Sequence, residues 1–321
     1  MKRSLSWGIC CVLAVVLIIK GIAGSGEEAQ RPQRAAVILK GLTTSYWYAV
    51  KSGAEDASRE LGVDVDIMAP VKADSNELQL QLLEEAVGSQ YDVICISPAD
   101  SKGILPGIEL ANDAGIPVIN YATPITGDVQ VASFIRIQDF DAEYTVAKKL
   151  CEMIQEGEVI ILEGPAGQQN AQDKTEGAKA AIKEFPGIQL AASQTANWIR
   201  NEAFVVTQNL LQAHPDIKGI IACNDDMAVG ASEAVETAGK KGEIYISGMN
   251  CAVFALEALK EGKIQVTIDV MAYELGYEAV AVAKEIMDGQ NYEKDIVMET
   301  ELCDLSNVEE MLKKHRRIEG K

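Results

Sequence analysis

The chain has 321 residues, of which 48% are hydrophobic and 5% aromatic, and its net charge is −19. That length suits one large or two medium domains. The acidic balance repels nucleic acid and anionic membrane, so neither is expected as a partner.

Residues 1–24 read as an export segment. Lys2 and Arg3 precede an apolar run from Trp7 to Ile19, and Gly21 and Ala23 provide a small-residue cleavage site. The run is shorter than the roughly 20 residues that span a bilayer. Lys20 leaves an uncleaved N-terminal anchor as the alternative. Cys10 and Cys11 lack the small-residue triplet of a lipid-attachment signal. Removing residues 1–23 takes Lys2, Arg3 and Lys20 away and carries the charge from −19 to −22.

From Ala35 the pattern alternates. Short apolar runs at 36–39, 63–67, 93–96, 118–119 and 131–135 are followed by others at 159–162, 188–191, 217–222, 244–247 and 266–268. Amphipathic segments at 76–87, 142–154, 175–185, 203–213, 227–238 and 275–287 lie between them. Continuous apolar strands alternating with helices predict parallel sheets covered on both faces, an α/β protein. About five strands precede Ile135 and about five follow, which predicts two similar Rossmann-like lobes. Asp139 stands where a cap is expected, ahead of a helix beginning near Asp141. The basic stretch 313–321 reads as a solvated end.

Five cysteines follow the export segment, Cys95, Cys151, Cys223, Cys251 and Cys303, with no Cys-x-x-Cys pair. This predicts neither a disulfide framework nor a metal site. His214 and His315 stand away from the strand ends, and no phosphate loop, dinucleotide fingerprint or nucleophile elbow occurs. No catalytic residue and no cofactor is expected, and the chain does not read as an enzyme.

In parallel sheets, ligands gather beyond the carboxyl ends of the strands. There the chain places Lys40, Asn120, Trp198, Asn224, Asn250 and Asp269. Tyr46, Trp47 and Tyr48 form an aromatic cluster just after the first strand. Trp47 and Trp198, one in each predicted lobe, are placed to close on one small ligand. Asn224 and Asp225 also fit a simple helix cap.

The segments "VILKGLTTSYWYAVKSGAEDASRELGVDVDI" and "ASQTANWIRNEAFVVTQNLLQAHPDIKGIIACNDDMAVGASEAVETAGK" resemble the ribose- and allose-type sugar-binding proteins of bacterial ABC importers, over nearly the whole chain after the export segment. The resemblance implies a type I periplasmic binding fold with two lobes, 34–136 plus 271–297 and 137–270 plus 298–321. Three hinge crossovers are implied near 135–137, 270–271 and 297–298. It implies ligand contacts at Lys40, Thr44, Tyr46, Trp47, Lys174, Trp198 and Asn224, to which Asn250 is added as a polar contact. It further implies a monomer in the periplasm or on the outer face of the cytoplasmic membrane, serving a membrane permease. A sensory co-receptor for a kinase or chemoreceptor, including one for a furanosyl signal, is the alternative.

The sequence departs from the ribose pattern at four positions. Ala122 and Asn250 stand at two aspartate positions, Lys174 at an arginine and Val270 at a glutamine. With Lys40 and Lys174 and no carboxylate opposite, the pocket is expected to be net positive. It would then favour a sugar acid, a deoxy or modified sugar, or a cyclitol derivative.

Overall fold

The computed structural model describes residues 33–320, so the export segment lies outside the described residues. Strands and helices alternate from the start: β1 (Arg34–Ile38), α1 (Ser45–Leu61), β2 (Asp64–Met68), α2 (Asn76–Gly88), β3 (Val93–Ile96), α3 (Leu105–Asp113), β4 (Val118–Tyr121) and β5 (Ser133–Arg136). They continue with α4 (Asp139–Ile154), β6 (Gly157–Glu163), α5 (Gln169–Lys183), β7 (Ile188–Thr195), α6 (Arg200–Ala213), β8 (Ile217–Ala222), α7 (Asp225–Thr237) and β9 (Tyr245–Ser247). The last elements are α8 (Val253–Lys260), β10 (Thr267–Asp269), α9 (Ala272–Met287), β11 (Asp295–Val297), β12 (Glu301–Cys303) and α10 (Val308–Glu319).

Two parallel sheets result, in the orders β11-β5-β4-β3-β1-β2 and β7-β6-β8-β9. Both faces of the larger sheet are covered. Along β1 the side chains alternate, Ala35 and Val37 entering one core and Ala36 and Ile38 the other, as the two-residue period of a strand requires. The smaller sheet carries a separate core that includes Ile160, Ile161, Ile220 and Ile221. All five cysteines among the described residues are buried free thiols.

The chain passes between the sheets three times. β5 of the large sheet leads within three residues into α4, which packs on the small-sheet side. Val266, just before β10, bridges to Ser247 of β9, and the helix after β10, α9, then returns to pack on α1. β11 pairs with β5, and β12 next pairs antiparallel with β10.

Helix α1 begins with the aromatic cluster, so its placement fixes where those rings stand. It ends at Gly62 in the left-handed conformation, φ 67, whose N–H bonds Ser58 O. Against α9 it lies so close that a Cβ on Gly53 would meet Tyr273 O at 1.9 Å, and one on Gly276 would meet Val50 O at 1.9 Å. Only glycine permits that approach.

Two expectations need correction. The stretch 313–319 is not a solvated end but the second half of α10. Val308, Met311, Leu312 and His315 recur at one-turn spacing and are buried, so the basic residues occupy the opposite side of an amphipathic helix. His315 Nε2 lies 3.0 Å and Lys314 Nζ 2.7 Å from Asp269 Oδ2, fastening the helix beside β10. Asp139 is the first residue of α4 rather than a cap ahead of it, and its carboxylate has a different use.

Candidate functional site

A cavity lies beyond the carboxyl ends of the strands, where parallel sheets bind their ligands. All eight residues singled out from the sequence line it: Lys40, Thr44, Tyr46, Trp47, Lys174, Trp198, Asn224 and Asn250.

The large-sheet side is built from β1 and the start of α1. Lys40 follows the strand and is 3% exposed. Burial lowers its pKa to about 8. Thr44 is the N-cap of α1, yet its side chain makes no capping bond, and it faces the cavity. Trp47 is buried and meets Tyr46 edge to face, with centroids 4.9 Å apart and ring planes at 89°. Tyr46 also packs against both the small-sheet core and a large-sheet core. The Lys40 ammonium lies 5.9 Å from the Trp47 ring centre.

The small-sheet side repeats the pairing of lysine and indole. Lys174, on α5, is buried, and its ammonium lies 5.2 Å from the Trp198 ring centre. Trp198 follows β7 and has φ 64, after Asn197 with φ 53. Such conformations are uncommon for large side chains and persist where surrounding contacts hold them. Here the indole lies across Gly164, where a Cβ would fall 2.0 Å from Trp198 Cζ2. Asn224 joins the two uses weighed from the sequence: Oδ1 accepts from Met227 N at 2.9 Å as the cap of α7, and Nδ2 donates to Trp198 O at 3.2 Å. Asn250 has φ 124, and its N–H bonds Ile268 O at 2.9 Å.

The expected absence of facing carboxylates does not hold. Asp74 and Asp139 line the cavity along with the two lysines. Asp139 Oδ1 lies 3.7 Å from Lys174 Nζ. Burial raises the Asp139 pKa to about 6, with Lys174 opposing the shift, so at neutral pH it is mostly ionised. Asp74 sits in a loop whose N–H bonds Lys40 O at 2.9 Å, which brings its carboxylate near the lysine. Two cations therefore face two anions, and the site is charge-balanced rather than net positive. Ala122, Ile137, Val270 and Leu275 add apolar wall, so the arrangement suits a small ring with polar edges and at least one apolar face.

One turn along α4 from Asp139, Glu143 is fully buried, and neither carboxyl oxygen has a hydrogen-bond partner among the described residues. Burial raises its pKa to about 8, so at neutral pH it is mostly the neutral acid.

Comparison with known proteins places this geometry. The family described as periplasmic binding protein domain matches residues 35–291. The D-allose-binding periplasmic protein of Escherichia coli is 32% identical over 75% of this chain and 80% of its own. The D-ribose/D-allose-binding protein of Pseudomonas aeruginosa is 28% identical over 94% of this chain and 98% of its own. Among solved structures, an ABC transporter periplasmic solute-binding protein from Actinobacillus succinogenes with bound D-allose is 32% identical, with a TM-score of 0.82 over 87% of this chain and 99% of that one. A solute-binding protein from Bacillus halodurans with bound myo-inositol is 27% identical, with a TM-score of 0.82 over 88% of this chain and 98% of that one. With the family matched over most of its length and the two-sheet architecture shared, the chain belongs to the periplasmic binding protein domain family and has the type I fold.

Proposed function

We propose that this non-catalytic binder takes a neutral cyclic polyol, a monosaccharide or cyclitol, in the cavity between its two sheets and delivers it to the membrane permease of an ABC importer. The single observation that carries the ligand class is the charge-balanced ring of Lys40, Asp74, Lys174 and Asp139 around two indoles. Such a site offers donors and acceptors to hydroxyls and apolar faces to ring carbons, and it has no surplus charge for an acid to neutralise. The relatives named for D-allose and D-ribose, and the solved structure holding myo-inositol, point to the same chemistry.

On this reading Lys40, Thr44, Lys174, Asn224 and Asn250, with Asp74 and Asp139, make the polar contacts, while Tyr46, Trp47 and Trp198 supply the faces. The lobes are 34–136 with 271–297 and 137–270 with 298–321. They close as a monomer by bending at the three passages between the sheets. The protein works outside the cytoplasmic membrane, in the periplasm or at its outer face. A sensory co-receptor would use the same cavity and differ in its membrane partner.

Calorimetric titration with D-allose, D-ribose, myo-inositol and D-galacturonate tests the ligand class. Micromolar or tighter binding of a neutral compound, about −8 kcal/mol or better, is the expected result. Binding confined to the galacturonate, or none across the set, overturns the charge-balance argument.

A further inference from the structure

The side chain of Gln168 is fully buried and spans the two halves of the molecule. Its Oε1 accepts from Lys40 Nζ at 2.5 Å, from the large-sheet side, and from Trp198 Nε1 at 2.9 Å, from the small-sheet side. Its Nε2 donates to Asp74 Oδ1 at 2.8 Å, again on the large-sheet side. One amide head thus makes three hydrogen bonds, with residues 128, 30 and 94 positions away in the chain.

Its place in the fold explains why it is free to do so. Gln168 is the N-cap residue of α5, where a side chain ordinarily bonds the first turn of its own helix. Gln168 makes no such bond. Its carbonyl carries the local work, accepting from Ala171 N at 3.1 Å and Gln172 N at 3.3 Å, and leaves the amide to reach across. The neighbouring backbone crosses at the same level: Ser101 N donates to Gly167 O at 3.0 Å, and Gln169 N donates to Ser101 Oγ at 2.9 Å. The crossing is therefore a docked segment rather than a single side-chain excursion.

Resting on the cavity being the ligand site, we infer that Gln168 is a positioning residue: it sets the Lys40 ammonium and the Trp198 indole for the ligand and ties the two lobes together around it. Gln168 stands between Lys40 and Asp74 and relays one to the other, since no direct ion pair closer than 4 Å joins them among the described residues. It also uses the Trp198 N–H. The ligand therefore meets Trp198 through its ring face, and the remaining Lys40 protons and Asp74 oxygen are held at fixed points. Without the amide, a buried ammonium and a half-buried carboxylate and indole N–H each lose a partner, and the arrangement costs most when the lobes are together.

The test uses the full chain with Gln168→Asn, which keeps the amide but is one methylene too short, and Gln168→Leu, which removes it. For D-allose, both variants are expected to raise Kd by about 10-fold to 100-fold, almost wholly through faster dissociation. Association and melting temperature should stay near the parent values. Without sugar, small-angle scattering should give both variants a larger radius of gyration, and tryptophan emission should shift as the indole N–H bond is lost. Kd, dissociation rate and radius all equal to the parent in both variants would overturn the inference. If the parent itself does not bind D-allose, the cavity's assignment to that sugar fails, and the sugar-free radius and emission decide the role of Gln168 alone. If Gln168→Leu melts early, Gln168→Asn carries the decision.

Discussion

The two lysine–indole pairs look alike and are held in different ways. Lys174 has its own carboxylate, Asp139, 3.7 Å away on the neighbouring helix, so the small-sheet side is complete by itself. The Lys40 ammonium is hydrogen-bonded to the Asp74 carboxylate through Gln168, a residue of the opposite side. Its partner indole, Trp47, is built into the core, whereas Trp198 sits on a strained turn against Gly164. One side is thus a fixed wall whose lysine and carboxylate are bridged by an amide of the other, and the other holds its own ion pair with its indole on a turn. This asymmetry predicts different costs for equivalent changes.

The largest effect is expected from Trp47→Ala. Emptying this buried position should cost about 3–5 kcal/mol of folding stability, as large aromatic truncations in cores do. Denaturant titration should show it together with loss of sugar binding. Trp198→Ala is the contrasting change: about 10-fold or more in Kd, about 1.4 kcal/mol, with a much smaller stability loss. Equal stability losses for the two variants would erase the distinction between core wall and surface turn.

Asp139→Asn should weaken sugar binding about 10-fold, because it leaves the Lys174 ammonium buried without its counter-ion. The parent should bind less well as pH falls through about 6, where Asp139 takes up a proton. The variant should lose that part of the pH dependence, which calorimetry at pH 5 and 7.5 would read. An unaltered pH profile would remove Asp139 from the binding role.

The last effect, read as a slope with pH, concerns Glu143. Its folded pKa of about 8 lies above the roughly 4.3 of an unfolded glutamate. The folded protein therefore holds a proton that the unfolded chain has released, and the site's contribution to stability is full below about pH 4.3 and lost as pH rises through 8. The slope is at most about 1.4 kcal/mol per pH unit. Glu143→Gln removes that slope, so its melting temperature relative to the parent should climb between pH 5 and 8. A constant difference across that range would show that Glu143 does not titrate as its burial implies.

The α/β alternation was legible because each strand is a continuous apolar run and each helix an amphipathic one. Lys40, Trp198, Asn224 and Asn250 were legible because they follow strands directly, in the region where parallel sheets bind. Asp74, Asp139 and Gln168 were not. Asp74 sits in a loop well beyond the end of β2, Asp139 has the outward signature of a cap, and Gln168 acts through partners 94 and 128 positions away. No local pattern announces contacts of that range. Helix α10 was hidden for the opposite reason, since its lysines and arginines mask the buried positions that dock it.

The buried thiols described with the fold have a practical consequence. From Cys95 onward no cysteine side chain is exposed, so a maleimide dye would ignore the native thiols of the folded protein. With Cys10 and Cys11 replaced, cysteines introduced at Tyr48 on α1 and Val205 on α6, both more than half exposed, would carry a donor and an acceptor on opposite sides of the cavity. The distance between them would then follow closure one molecule at a time, turning the protein into an optical reporter for its own sugar.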